Sequence, residues 1–259
     1  RRSQRESHPV HDFLFQYYSY SPAKLEAWHP ATTEAVEDSA AARSRFAPPT
    51  YRHDGGVIRR DIDTVSPEKR ARMREARDVL IATRSRPPNF GCFGVHEWAM
   101  VYGGDEVRHE GVAELRLPQR EIDAFVESRP VACSHFDAFR FFSPEAKPLN
   151  RIPLEWSTRH EMEQPGCIHA NMDLYRWAYT SMPWIGSAVL LACFELAAEL
   201  RGVDMRASPY DLSELEYDPI LVETPEGRTV YQTLQRDFSE RASALRDELI
   251  DTIELVLGG

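Results

Sequence analysis

The chain has 259 residues, a net charge of −10 and a hydrophobic fraction of 42%, which is typical of a globular protein with a sizeable buried core. The negative charge disfavours DNA as a partner, because phosphate binding needs clustered lysine and arginine. No apolar run reaches the length of a membrane span, and the polar start lacks a secretory signal. We therefore expect a cytoplasmic protein with no membrane partner. Four cysteines are too few for a disulfide scaffold.

Helix signals dominate the chain from its beginning to its end. Ser66-Pro67 and Thr224-Pro225 each combine a capping side chain with proline in the first turn, which is a typical helix start. Apolar residues then recur at helical spacing after both pairs. The predicted helices, in chain order, cover residues 10–18, 24–28, 67–83, 119–127, 172–179, 187–200 and 225–256.

Strand signals are fewer and shorter. Alternation and β-rich composition predict strands at 98–102, 112–117 and 131–142. Residues 31–66 are small, polar and rich in turn-forming pairs such as Gly55-Gly56, which predicts a flexible loop or insertion. The expected fold is α+β: a mainly helical single domain over residues 1–259 with a small central sheet.

Three short stretches each combine a cysteine, a histidine and a carboxylate. These side chains bind metals, transfer protons and attack electrophiles, so their grouping predicts an enzyme. The stretches are Cys92 with His96 and Glu97, Cys133 with His135 and Asp137, and Cys167 with His169 and Asp173.

The second stretch predicts a metal site. On a strand, Cys133, His135 and Asp137 would share one face. A His-x-Asp pair completed by a distant histidine, here His169, has the ligand types of a two-histidine, one-carboxylate iron site. Zinc held by cysteine and histidine is a second interpretation. A purely structural, hydrogen-bonding role for His135 and Asp137 stays open.

The first stretch predicts a proton-transfer site. Glu97 beside Trp98 would have a raised pKa if it were buried, which suits general acid or base catalysis with His96. The alternative is a turn whose polar side chains face water. Further along the chain, Arg206 is a candidate for binding an anionic substrate, or it pairs with Asp211.

An aromatic segment near the start offers a binding wall. Tyr17 and Tyr18 follow Asp12 on a predicted helix, and such a wall can stack a flat heterocycle. Aromatic stripes on helices more often belong to the core, so this alternative also stays open.

Long stretches of the chain resemble one family. The sequence is similar to a bacterial family, common in actinobacteria, whose members are labelled 3-methyladenine DNA glycosylase. The stretches that carry the resemblance are 8–18, 90–102, 134–142, 164–175 and 204–212.

That resemblance implies an N-glycosylase that hydrolyses the bond to an alkylated purine. Aromatic side chains would stack the base, and a carboxylate would position water and stabilise the transition state. The candidate stacking residues are Tyr17, Tyr18, Trp98, Phe136 and Tyr175, and the candidate carboxylates are Asp12, Glu97 and Asp137. The residues themselves keep a second hypothesis open: a metal-dependent enzyme, such as a non-haem iron oxygenase, that acts on a small molecule. A binding protein without chemistry is the third.

Overall fold

The computed structural model describes residues 8, 10–104 and 114–258, and these residues form a mainly helical α+β fold with one small sheet. The prediction of the fold class is therefore confirmed. The helices are α1 Phe13–Gln16, α2 Pro22–Leu25, α3 Ala40–Arg45, α4 Pro67–Arg84, α5 Val95–Met100, α6 Gln119–Glu127, α7 Phe136–Phe139, α8 Arg159–Met162, α9 Ile168–Ser181, α10 Ser187–Arg206 and α11 Pro225–Leu257. Short 3-10 turns cover Ile62–Thr64, Lys147–Leu149, Trp156–Thr158 and Ser213–Leu215. The strands are β1 Ala35–Glu37, β2 Tyr51–Asp54 and β3 Val57–Arg60.

Four long helices build the core. Helix α9 contacts α4, α10 and α11, and α11 also contacts α4 and α10. Their buried side chains belong to one large apolar cluster that includes Leu200, Tyr231 and Leu249. Because α9 is surrounded on several sides, its polar residues are held inside the protein, and this places the candidate site.

The predicted capping residues start two of these helices. The Ser66 hydroxyl accepts a hydrogen bond from the Lys69 N–H, and the Thr224 hydroxyl accepts one from the Gly227 N–H. Each bond satisfies a backbone N–H that has no partner within the helix. The sequence therefore predicted the starts of α4 and α11 correctly.

The sheet lies where a loop was expected. Strand β3 pairs antiparallel with both β1 and β2, and all three strands fall within residues 31–66. Residues 31–66 therefore contain regular structure where a loop was predicted, and the alternative that they form an insertion stays a prediction. Gly55 and Gly56 have φ of 59° and 84° and form the two-residue turn of a hairpin, for which positive φ is required. Burial of Tyr51 and Ile58 against a small apolar cluster then holds the hairpin.

The predicted strands elsewhere are wrong within the described residues. Residues 95–100 form α5, in which every side chain is buried, and a short apolar run of this kind cannot be assigned by periodicity alone. Leu115 makes one isolated bridge to Tyr210, and Val131 makes one to Asn150. Residues 112–113 lie outside the described residues. The segment 131–142 turns into α7, so Cys133, His135 and Asp137 do not share a strand face.

No helix in the described part of the chain combines the length and apolarity that crossing a bilayer requires.

Helix α11 begins in close contact with the preceding segment. A Cβ atom on Gly227 would overlap the Leu221 carbonyl oxygen, whereas a Cβ on Gly202, near the end of α10, would meet nothing closer than 4.0 Å. We expect Gly227→Ala to lower the free energy of unfolding by about 3 kcal/mol, because backbone atoms must move. The control Gly202→Ala should raise it by about 0.5–1 kcal/mol, through helix propensity. Urea unfolding followed by circular dichroism measures both, and equal effects would contradict the prediction.

Candidate metal centre and adjoining cavity

A cavity of about 290 Å³ lies beside α1, α5, α7, α9 and α10. Its lining combines apolar and aromatic side chains with ionisable ones. The first group consists of Phe13, Tyr17, Met100, Ala138, Phe141 and Met172. The second group consists of Tyr18, His96, Glu97, His135, Asp137, His169, Asp173 and Arg201. A concave apolar site with a few convergent polar groups is the usual form of a small-molecule site.

Two histidines of the lining converge with one buried aspartate that is not itself a lining residue. His96 on α5, His169 on α9 and Asp204 on α10 each offer a ligand atom, and these atoms all lie within 4.8 Å of one another. His96 Nε2 lies 3.2 Å from Asp204 Oδ1, and His169 Nε2 lies 4.0 Å from Asp204 Oδ2. Two donors bound to one ion at about 2.1 Å are separated by about 3.0–3.4 Å. The His96–Asp204 separation therefore matches one edge of a coordination sphere.

The facing atoms of that edge form an ion pair. His96 Nε2 and Asp204 Oδ1 are both buried and lie 3.2 Å apart, but neither makes a hydrogen bond of good geometry to any described residue. Buried polar atoms are nearly always satisfied. A cation between the imidazole and the carboxylate would satisfy both.

Arg201 fixes the other half of the aspartate. Its Nη1 donates to Asp204 Oδ2 and to Glu97 Oε1, each at 2.8 Å, and its guanidinium lies over the Phe13 ring at 4.1 Å. A partner of this kind orients a metal-binding carboxylate. Because Oδ2 is held by Arg201, Oδ1 is the oxygen that points at His96.

Burial and neighbouring charges set the protonation states of these groups. Burial lowers the pKa of His96, but the adjacent Asp204 carboxylate outweighs it and raises that pKa to about 9. Burial, together with the positive charge of His96, holds the pKa of His169 well below its usual value. Burial raises the pKa of Asp204, but the nearby charges of His96 and Arg201 outweigh burial, so the pKa lies below its ordinary value. His169 is thus neutral and Asp204 ionised, as metal ligands must be.

A second ionic cluster adjoins the first. His135 Nε2 lies 3.3 Å from Asp173 Oδ2, and Asp173 also accepts a hydrogen bond from the Tyr18 hydroxyl at 3.0 Å. Arg176 contacts Asp173 at 3.2 Å and Asp137 at 2.8 Å. Burial lowers the pKa of His135, yet the hydrogen bond to Asp173 raises it overall. This cluster is a network of paired charges, and within it His135 Nδ1 is buried without a hydrogen bond to any described residue.

The structure does not bring the three residues of the predicted metal set together. His169 is shared with the convergent group, but Asp137 is not in it, because its two oxygens pair with Arg140 and Arg176. His135 stacks near His169, with ring centroids 5.5 Å apart, and faces Asp173 instead. Among the described residues, the group whose atoms lie close enough to hold a metal ion is His96, His169 and Asp204, and not the predicted set of His135, Asp137 and His169.

Two predicted aromatic binding residues belong to the core. Trp98 is fully buried, and its indole N–H donates to the Ala207 carbonyl. Tyr175 is also fully buried, packed edge-on against Tyr18 and Tyr20. Neither is among the residues that line the cavity. Their predicted role in binding is therefore wrong. The sequence of a short apolar segment does not reveal which of its side chains face a cavity and which pack into the core.

Three further predicted residues also lie away from the cavity lining. Phe136 packs against Trp156, with ring centroids 5.9 Å apart. Asp12 accepts a hydrogen bond from a backbone N–H one turn earlier, at the start of α1. Arg206 donates to the Asp218 backbone carbonyl in the segment after α10 and lines two other cavities at that end of the helix. Seven other predicted site residues do line the cavity of about 290 Å³: Tyr17, Tyr18, His96, Glu97, His135, Asp137 and His169.

The three cysteines of the sequence clusters line a separate, smaller cavity. It measures about 20 Å³ and is bounded by Cys92, Cys133 and Cys167 on one side and by His96 and His169 on another. All three thiols are free. Burial raises the pKa of Cys92 to about 11 and that of Cys133 to about 12, so both remain protonated thiols at neutral pH.

Asp204 and Arg201 are the site residues that the sequence motifs did not predict. They are three residues apart on α10 and form a buried ion pair. One sequence signal could have revealed them. An arginine and an aspartate three residues apart would share a helix face, and near the end of an apolar helix that face is buried, so the two charges must pair. Comparison with protein-family models, with curated proteins and with solved structures gives no match for the chain.

Proposed function

We propose that this chain is a metal-dependent enzyme that acts on a small molecule. The main support is the convergence of His96, His169 and Asp204, of which the two histidines line the cavity of about 290 Å³. His96 Nε2 and Asp204 Oδ1 face each other as an ion pair at 3.2 Å, so a divalent ion that displaced the imidazole proton would bind both atoms.

The ligand set narrows the choice of metal. Two imidazoles and one carboxylate bind first-row divalent ions and leave positions open for substrate or water. Fe(II) in such a set supports oxygen chemistry, and Zn(II) activates water or polarises a carbonyl. The proposed class is therefore an oxidoreductase if iron is bound and a hydrolase if zinc is bound.

Loss of a ligand should abolish metal binding. We expect the wild type to bind one equivalent of Co(II), with visible absorption bands from a nitrogen- and oxygen-ligated ion. His169→Ala and Asp204→Asn should weaken binding by more than about 100-fold, because each removes a direct ligand. The matched control is His53→Ala, whose ring is exposed on the sheet and bonds the Phe46 carbonyl. Titration followed by absorption spectroscopy measures all four proteins. Equal affinity in wild type and His169→Ala would refute the proposed centre.

An N-glycosylase is the second candidate. The observation in its favour is that two carboxylates, Glu97 and Asp137, line the same cavity as the aromatic side chains of Phe13 and Tyr17. Such a site would stack a base and stabilise positive charge on the sugar. Release of free base from alkylated DNA, undiminished by a chelator and lost in Asp137→Asn, would favour this function over the metal-dependent one.

A further inference from the structure

Two helices carry both a metal-binding histidine and a methionine into the larger cavity. His96 and Met100 lie one turn apart on α5, His169 and Met172 lie one turn apart on α9, and all four line the cavity. Residues at these spacings share a helix face, at a separation of about 5.4 Å along the axis. Methionine sulfur packs favourably against aromatic rings. A ring held by the two methionines would therefore lie about one helical turn from the metal ligands.

Phe13 and Phe141 add aromatic surface to the same lining. Rings bound there can pair with them edge-to-face or offset. The volume of about 290 Å³ is at the lower end of the range for ligand cavities. It suits a compound of one or two rings.

Arg201 has a donor without a partner beside that aromatic surface. Its Nη1 donates to Glu97 and Asp204, whereas its Nε is buried and makes no hydrogen bond to any described residue. The guanidinium lies over the Phe13 ring, 4.1 Å from its centroid. Hydrogen bonds from arginine to a carboxylate are among the strongest in proteins. The free Nε is thus suited to an anionic oxygen on a ring compound.

A divalent ion would make the charge around the cavity positive. Ion pairs of 2.8–3.2 Å join four carboxylates, Glu97, Asp137, Asp173 and Asp204, to three arginines, Arg140, Arg176 and Arg201. His135 and Glu163 form a further pair of opposite charges at 3.9 Å, which leaves the balance unchanged. The two charges of the ion outweigh the one negative charge that the arginines leave. The ion would also offer open positions to a ligand oxygen, because the protein supplies only three ligand atoms.

We propose that the metal-loaded cavity binds an aromatic carboxylate in preference to an uncharged ring compound of the same shape. The carboxylate occupies an open position on the ion near Arg201, and the ring contacts the phenylalanines and methionines of the lining. This inference rests on the proposed function and specifies its substrate class.

Indole-3-carboxylate and indole-3-carboxamide test the preference, because they share one size and shape and differ in charge. We expect protein loaded with one equivalent of Co(II) to bind the carboxylate at least about tenfold more tightly than the carboxamide, because only the carboxylate neutralises the ion. Chelation of the Co(II) should reduce this preference at least about tenfold. Calorimetric titration measures both probes. Equal affinities in the loaded protein, an unchanged preference after chelation, or no binding of the carboxylate would overturn the proposal.

The visible absorption of Co(II) reports where the carboxylate binds. Indole-3-carboxylate should shift the Co(II) bands, because its oxygen enters the coordination sphere. The carboxamide should shift them less at the same occupancy. Bands that stay unchanged while the carboxylate is bound would overturn its placement on the ion.

Two variants test the position of the ring and the role of charge. Ala138→Leu adds three carbons to the cavity lining and should weaken binding of both probes at least about fivefold, whereas Ala71→Leu on the exposed face of α4 should not. Asp137→Asn removes one lining carboxylate and should increase the preference for indole-3-carboxylate at least about threefold. Its control, Asp237→Asn, is exposed on α11 and should leave the preference unchanged. An unchanged preference in Asp137→Asn would overturn the charge argument even if Ala138→Leu fails to fold.

The Co(II) titration separates this inference from the proposed function. Protein that binds Co(II) without preferring the carboxylate would overturn the substrate class and leave the metal centre intact. Protein that binds no Co(II) would refute the metal centre, and the inference with it. Co(II) binding together with the preference and its loss on chelation would support both.

Discussion

Replacement of Arg201 by methionine is expected to lower the free energy of unfolding by about 3–5 kcal/mol. The guanidinium is 2% exposed and bridges Glu97 and Asp204 at 2.8 Å each. Methionine keeps much of the apolar volume but leaves two buried carboxylates with only the His96 imidazole between them. Breaking a buried ion pair by removing one partner costs about this amount, because the remaining negative charge is not solvated and one imidazolium cannot balance it. Urea unfolding of the metal-free protein measures the loss.

The exposed pair of Arg241 and Glu199 supplies the matched control. It is bidentate, with distances of 2.7 and 2.8 Å, but its side chains are 43% and 50% exposed. Exposed ion pairs contribute about 0–1 kcal/mol to stability, so Arg241→Met should leave the free energy of unfolding nearly unchanged. A loss below about 1 kcal/mol in Arg201→Met would show that the bridge between α5 and α10 does not stabilise the fold.

Metal affinity is expected to rise steeply with pH across the neutral range. The pKa of His96 is raised to about 9, chiefly by Asp204 acting against burial, so metal must displace a proton from this imidazole at neutral pH. Apparent affinity should therefore rise about tenfold per pH unit, or about 100-fold from pH 6 to pH 8. His169, whose pKa is lowered, adds no further competition. Competition with a chromophoric chelator at several pH values measures the slope.

The metal-free protein gives an independent check on the same histidine. The folded state keeps a proton on His96 that the unfolded state releases near the ordinary pKa of about 6.5. The proton on His96 therefore stabilises the folded state by about 3 kcal/mol below pH 6.5, and this contribution is lost as the pH rises toward 9. Asp204→Asn should reduce this loss of stability between pH 6.5 and pH 9, because it removes the carboxylate that chiefly raises the pKa of His96. A metal affinity that levels off above pH 7, with no decline in stability, would contradict the raised pKa.

The sequence predicted local features well where one residue determines a backbone bond. The capping side chains Ser66 and Thr224 satisfy N–H groups within their own first turns, so no distant contact is needed to predict them. The hairpin at Gly55 and Gly56 was missed, although positive φ at adjacent glycines is also a local signal. The polar composition around the glycines favoured a loop, but burial of Tyr51 and Ile58 in a small apolar cluster stabilises the two strands.

The ligand set illustrates what spacing along the chain cannot supply. His96, His169 and Asp204 come from three helices, and only the packing of α10 against α9 brings Asp204 to His169. Asp137 lies two residues from His135 and was the more obvious partner. Its orientation, however, is set by Arg140 and Arg176, and charge pairing of that kind is not encoded in a short motif.

Anomalous X-ray scattering from crystals of the protein as purified tests the metal centre most directly. Data collected on both sides of the iron and zinc absorption edges identify the metal and locate it in one experiment. The account predicts a single peak within about 2.0–2.2 Å of a ring nitrogen of His96, a ring nitrogen of His169 and an oxygen of Asp204. A peak bounded by His135 and Asp173 instead, or no peak in crystals grown with added Fe(II) or Zn(II), would contradict it.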